Sequence, residues 1–153
     1  MNRKTSAACG VLLASVLALS ACNSMRTNTG MATGTAMMMT QLSGANEVPP
    51  VATSGAGSVE TSYNRDTFML RWTVTYGGLS GPATGGHLHG PAMPGQNAPV
   101  VVPFTGSLAS PISGGQILTP AQASDLLAGK WYVNLHTQAN PGGEIRGQLV
   151  VNR

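Results

Sequence analysis

The chain has three histidines among its 153 residues. All three fall in two short segments: His87 and His89 in Gly-His-Leu-His-Gly-Pro-Ala (86–92), and His136 in Tyr-Val-Asn-Leu-His-Thr (132–137). A β-strand sends alternate side chains to opposite faces. His87 and His89 therefore share one face, with Leu88 opposite. Tyr132, Asn134 and His136 likewise share a face, with Val133 and Leu135 opposite. Three neutral imidazoles on such faces suit a copper or zinc ion, copper preferred, with a water or carboxylate completing the shell. Asn134, Glu144 and Glu47 are candidates for a fourth ligand or for orienting an imidazole. Arg146, two residues beyond Glu144, is expected to pair with Glu47 or Glu144, a surface pair worth roughly 0–1 kcal/mol. Because a protonated imidazole cannot ligate, affinity should fall below about pH 6. The plainer alternative is that His87 and His136 bond to turn backbones and hold loops.

Other chemistries find little support. The two cysteines, Cys9 and Cys22, both lie near the start of the chain. No Gly-x-Ser-x-Gly elbow, phosphate loop or heptad array occurs. Lys and Arg number 8 against 5 Asp and Glu. Without Arg3 and Lys4 the balance is nearly even, so there is no basic footprint for nucleic acid.

Arg3 and Lys4, the apolar run Val-Leu-Leu-Ala-Ser-Val-Leu-Ala-Leu (11–19) and then Leu-Ser-Ala-Cys (19–22) read as a lipoprotein signal peptide over residues 1–21. Cys22 is the expected lipidation site, with acyl chains such as palmitate holding the protein to a membrane. The mature protein then keeps no cysteine for a disulfide. Asn23, rather than an aspartate, follows Cys22, which resembles outer-membrane sorting in Gram-negative lipoproteins. The expected location is extracytoplasmic, on an outer membrane facing the periplasm or the cell surface. Residues 22–39 read as a flexible tether rich in Met, Thr and Gly. Its methionines (Met25, Met31, Met37, Met38, Met39) suit Cu(I) as thioethers, but a low-complexity tether running into a first strand explains them more simply.

From residue 40 to 153 the composition is that of one domain. Phe68, Leu70, Trp72, Val74 and Tyr76 alternate with Met69, Arg71, Thr73 and Thr75, a half-buried strand. Residues 57–63 pair with it as a hairpin through Asn64-Arg65-Asp66. Further strands are expected at 38–43, 86–89, 99–104, 131–136 and 144–151, punctuated by Gly and Pro. Thr119, Pro120 and Gln122 form a helix start, Gly129 its stop, and the short helix between them is a crossover connection. The expected fold is all-β: an antiparallel immunoglobulin-like or superoxide-dismutase-like β-sandwich with one short helix.

The ordered set Leu-Ser-Gly-Ala-Asn-Glu-Val-Pro-Pro-Val (42–51), Gly-His-Leu-His-Gly-Pro-Ala-Met-Pro-Gly (86–95), Trp-Tyr-Val-Asn-Leu-His-Thr (131–137) and Asn-Pro-Gly-Gly-Glu-Ile-Arg-Gly-Gln-Leu (140–149) resembles the CHRD domain, named after chordin. The resemblance covers about residues 40–152 and implies an extracytoplasmic, β-rich module. His87-Leu88-His89 and the segment 142–147 are also similar to pieces of copper/zinc superoxide dismutase, without its zinc histidines or disulfide. The leading expectation is a lipid-anchored, non-catalytic protein that binds a transition metal through His87, His89 and His136. The alternatives are a protein–protein interaction module without metal and a superoxide-consuming enzyme.

Overall fold

The computed structural model describes residues 34–152. The expected signal peptide, the lipidation at Cys22 and tether residues 22–33 lie outside the described residues. Eight strands run in chain order: β1 (Thr35–Ser43), β2 (Ala56–Asn64), β3 (Met69–Gly77), β4 (Ala83–His89), β5 (Val100–Pro103), β6 (Ile112–Ile117), β7 (Trp131–Thr137) and β8 (Ile145–Leu149). One helix, α1 (Pro120–Leu127), joins β6 to β7, and a short 3-10 turn follows β1. The strands form one antiparallel sheet in the order β5-β4-β7-β8-β1-β2-β3-β6. The fold is all-β with one short helix, as expected.

The period-two pattern of β3 explains its place. Leu70, Trp72 and Val74 are buried while Arg71, Thr73 and Thr75 face solvent. Burying a side chain the size of Leu70 or Val74 contributes about 1.5–3 kcal/mol. One face of every strand feeds a single apolar cluster, from Met38 and Leu42 through Val59, Leu88 and Ile112 to Val133 and Ile145. The sheet must therefore curl over its own core. The Trp72 and Phe104 rings stack with centroids 5.3 Å apart, bringing β3 beside the chain leaving β5.

Three local signals are realised as side-chain chemistry. Asn64 Oδ1 accepts from the backbone N–H groups of Asp66 and Thr67 and from the Thr67 hydroxyl, closing the β2–β3 hairpin. The Gln122 N–H donates to Thr119 Oγ1, and Gln122 Oε1 accepts from the Thr119 N–H. Gly129 takes φ +72 just past α1, while Leu126 and Ala123 bury the helix against the core.

Several elements differ from expectation. β1 begins at Thr35, three residues before the strand expected from 38, so the end of the expected tether is strand. Its alternation buries Met38 and exposes Met37 and Met39. β3 begins at Met69, because Phe68 turns back at φ +58 while still packing on the core. β6, with Gly114 and Gly115 in its middle, is an additional strand that the sequence pattern does not announce.

β7 and β8 sit inside the sheet and are buried on both faces. Trp131, Val133 and Leu135 face the core. Tyr132 and Asn134 face outward, yet each is at most 3% exposed. Polar side chains of the neighbouring strands and loop residues 96–98 lie against this outer face.

Candidate metal centre

The register of β4 against β7 sets Gly85 opposite His136, His87 opposite Asn134 and His89 opposite Tyr132. All three imidazoles thereby reach the same outer face, as the alternation predicts. Their ring centroids are 4.8 Å apart for His87 and His136, 5.4 Å for His87 and His89, and 6.5 Å for His89 and His136. Gly85 lies against the cluster, where a β-carbon would be in van der Waals contact with the rings of both His87 and His136. One nitrogen from each ring lies within 4.8 Å of the others.

Proton counting shows what the cluster lacks. His89 Nδ1 lies 2.9 Å from the Ala98 carbonyl oxygen, and His136 Nδ1 lies 2.9 Å from the Pro141 carbonyl oxygen. A carbonyl only accepts, so each Nδ1 carries its ring's proton. A neutral imidazole has a single N–H, which leaves Nε2 of both rings as bare lone pairs. Both stand 3.0 Å from Asn134 Oδ1, another acceptor. His87 Nδ1 lies 3.0 Å from His136 Nε2 and supplies at most one proton there. Lone pairs thus converge with too few protons between them, and a cation relieves that. Fixing a ring's far N–H on a carbonyl is also how metal-binding histidines are held. Opposite donors on one ion at bonds of ~2.0–2.1 Å stand ~4.1 Å apart. Closing the set therefore takes a shift of about 0.5 Å or more.

The electrostatics keep His87 and His89 in ligating form. Burial lowers the His87 pKa to about 4, and His136 and His89 push the same way. Burial also lowers His89, with His136 and Arg146 adding to it against the bonds to Ala98 and Asn134. The pH 6 threshold expected for free imidazoles is therefore too high for these two rings.

The neighbours take different parts from those expected. Arg146 forms no ion pair among the described residues. Its Nη1 donates to Asn97 Oδ1 at 3.0 Å and its Nη2 to the Gln96 carbonyl at 2.5 Å. The guanidinium carbon lies 3.4 Å from the Tyr132 ring centroid, a cation–π stack. Tyr132 in turn stacks on His89, with centroids 4.7 Å apart and planes at 1°. Arg146 thus ties loop residues 96 and 97 down beside the Ala98 carbonyl that orients His89.

Glu144 is fully buried and its carboxylate is already spent. Oε1 accepts from the Thr53 hydroxyl and the Ser80 N–H, and Oε2 from the hydroxyls of Ser80 and Thr137 and the Asn140 amide. Burial pulls its pKa up, but these bonds outweigh it and bring the pKa to about 2. Glu144 pins the loop that presents the Pro141 carbonyl to His136, so it positions a ring and has no free oxygen to ligate. Glu47 is buried too, and its Oε1 has no hydrogen-bond partner. Burial raises its pKa to about 7, against the pull of Arg146, Asn134 and Val48.

The Ala98 and Pro141 carbonyls and the Tyr132 stack carry no signature in the sequence as orienting groups. Only the polar face shared by Tyr132, Asn134 and His136 hints at them. Among the described residues no helix is long and apolar enough to cross a membrane. Comparison with known proteins returns a family model, the CHRD domain, matching residues 38–149. No curated protein and no solved structure matches the chain.

Proposed function

The chain belongs to the CHRD-domain family, and from that premise we propose that it is an extracytoplasmic binding module that coordinates a transition metal through His87, His89 and His136. Copper is preferred and zinc is the alternative. The observation that carries this reading is the convergence of three ring nitrogens within 4.8 Å, two of them stripped of protons by carbonyls on the far side of their rings. Three neutral imidazoles form a borderline-soft donor set that suits Cu(II) and Zn(II). In the same reading the lipobox-like segment ending at Cys22 anchors the module to a membrane outside the cytoplasm, and the chemistry is binding, not turnover.

The test is titration of the full chain with Cu(II) and with Zn(II), read by calorimetry and by metal analysis after dialysis. One ion per chain is expected. Alanine at His87, His89 or His136 should each weaken binding by at least tenfold. A wild-type chain that retains no metal, and whose melting temperature ignores both ions, contradicts the reading.

A further inference from the structure

Asn134 sits between the imidazoles and Glu47, and its amide has two unlike ends. Oδ1 faces the ring nitrogens, 3.0 Å from His89 Nε2 and 3.0 Å from His136 Nε2. Nδ2 faces the other way, beside Gly143 and Glu47. A β-carbon on Gly143 would collide with Glu47 Oε1 and come to 2.7 Å from Asn134 Nδ2, and Gly143 takes φ +128. Only glycine lets the carboxylate and the amide approach there.

Seen from the rings alone, the opposite orientation is better. Nδ2 turned inward would donate to the bare Nε2 lone pairs. The amide instead turns an acceptor toward acceptors. Glu47 supplies the reason. With Oδ1 turned outward, the amide oxygen would face a buried carboxylate whose Oε1 has no partner. The Asn134 side chain hydrogen-bonds to Glu47, which keeps the nitrogen end toward the acid and the oxygen end toward the rings. That orientation costs the metal-free protein and favours a bound cation.

Resting on the metal-binding reading above, we propose that Asn134 Oδ1 is the fourth donor of the centre and that Glu47 is the positioning residue that keeps this oxygen inward. The donor set points to the class of ion: three imidazole nitrogens with one amide oxygen suit Cu(II), while a hard amide oxygen adds little for Cu(I).

The test compares wild type, Asn134→Leu, Glu47→Ala and Glu47→Gln in the full chain. It reads Cu(II) and Cu(I) affinity by chelator competition, and the Cu(II) electron paramagnetic resonance spectrum. Asn134→Leu and Glu47→Ala should weaken Cu(II) binding 10- to 100-fold, shift the spectrum toward fewer oxygen donors, and change Cu(I) affinity less than threefold. Glu47→Gln keeps an oxygen to face Nδ2 and should stay within about threefold of wild type, so misfolding of Asn134→Leu alone cannot decide the outcome. Wild-type copper binding with an unchanged spectrum in Glu47→Ala and Asn134→Leu overturns this assignment and leaves the three-histidine reading standing. Failure of the wild type to bind copper overturns both.

Discussion

Glu47 and Glu144 are both buried glutamates, yet their environments drive them in opposite directions. Glu144 accepts five hydrogen bonds, and its pKa falls to about 2. Glu47 keeps an oxygen with no partner, and its pKa rises to about 7. Burial alone does not set the character of an acid; the supply of donors decides. The saturated acid holds loops together. The unsaturated one is tolerated because it acts on something else, here the orientation of Asn134.

This contrast can be broken in four places. Glu144→Ala leaves three hydroxyls, an amide and a backbone N–H without their acceptor, and should cost about 3–5 kcal/mol in urea denaturation. Glu47→Gln should do the reverse for the metal-free protein, raising stability at pH 8 by about 2 kcal/mol and hardly changing it at pH 4. The signs follow from linkage. The folded pKa of Glu47 is raised, so its ionisation costs folding stability as pH climbs from about 4.5 to about 7. The folded pKa of Glu144 is depressed, so its contribution is full above about 4.5 and is lost as pH falls toward about 2. Lowered pKa values at His87 and His89 raise wild-type stability over the same window, so the difference between wild type and Glu47→Gln is what is read, and a flat difference from about pH 4.5 to about 7 would erase the distinction. Gly143→Ala forces a β-carbon between Glu47 and Asn134 at φ +128 and should cost roughly 1–2 kcal/mol together with a loss of Cu(II) affinity. The smallest effect is expected for Thr53→Val, which removes one of the five bonds to Glu144 and should cost about 1 kcal/mol or less in the same denaturation series.

Much of the fold was legible because it rests on local periodicity. β3 shows its alternation, α1 shows its capping box, and the β2–β3 turn shows its asparagine. β6 was hidden because Gly114 and Gly115 carry no side chains to display a pattern, and their strand is specified by pairing with β3. The start of β1 was hidden because Thr35 to Met39 look like more of the low-complexity stretch before them. At the site, the shared face of His87, His89 and His136 followed from strand alternation, and their meeting required only that β4 and β7 be neighbours. The roles of the charged groups were less visible. Arg146 was expected to find an acid and instead found the Tyr132 ring and two loop oxygens. Glu144 offered a ligand on paper, but its partners come from Thr53, Ser80, Thr137 and Asn140, a convergence made by tertiary structure. The carbonyls that fix the ring tautomers belong to Ala98 and Pro141, where side-chain identity says nothing about a backbone oxygen.

The most direct test is a crystal of the full chain soaked with Cu(II) near pH 7, with anomalous scattering recorded at the copper edge. The account predicts a single strong peak about 2.0–2.2 Å from His87 Nδ1, His89 Nε2 and His136 Nε2. A soaked crystal with those rings still joined only to one another and to Asn134, and with copper elsewhere or nowhere, would contradict it.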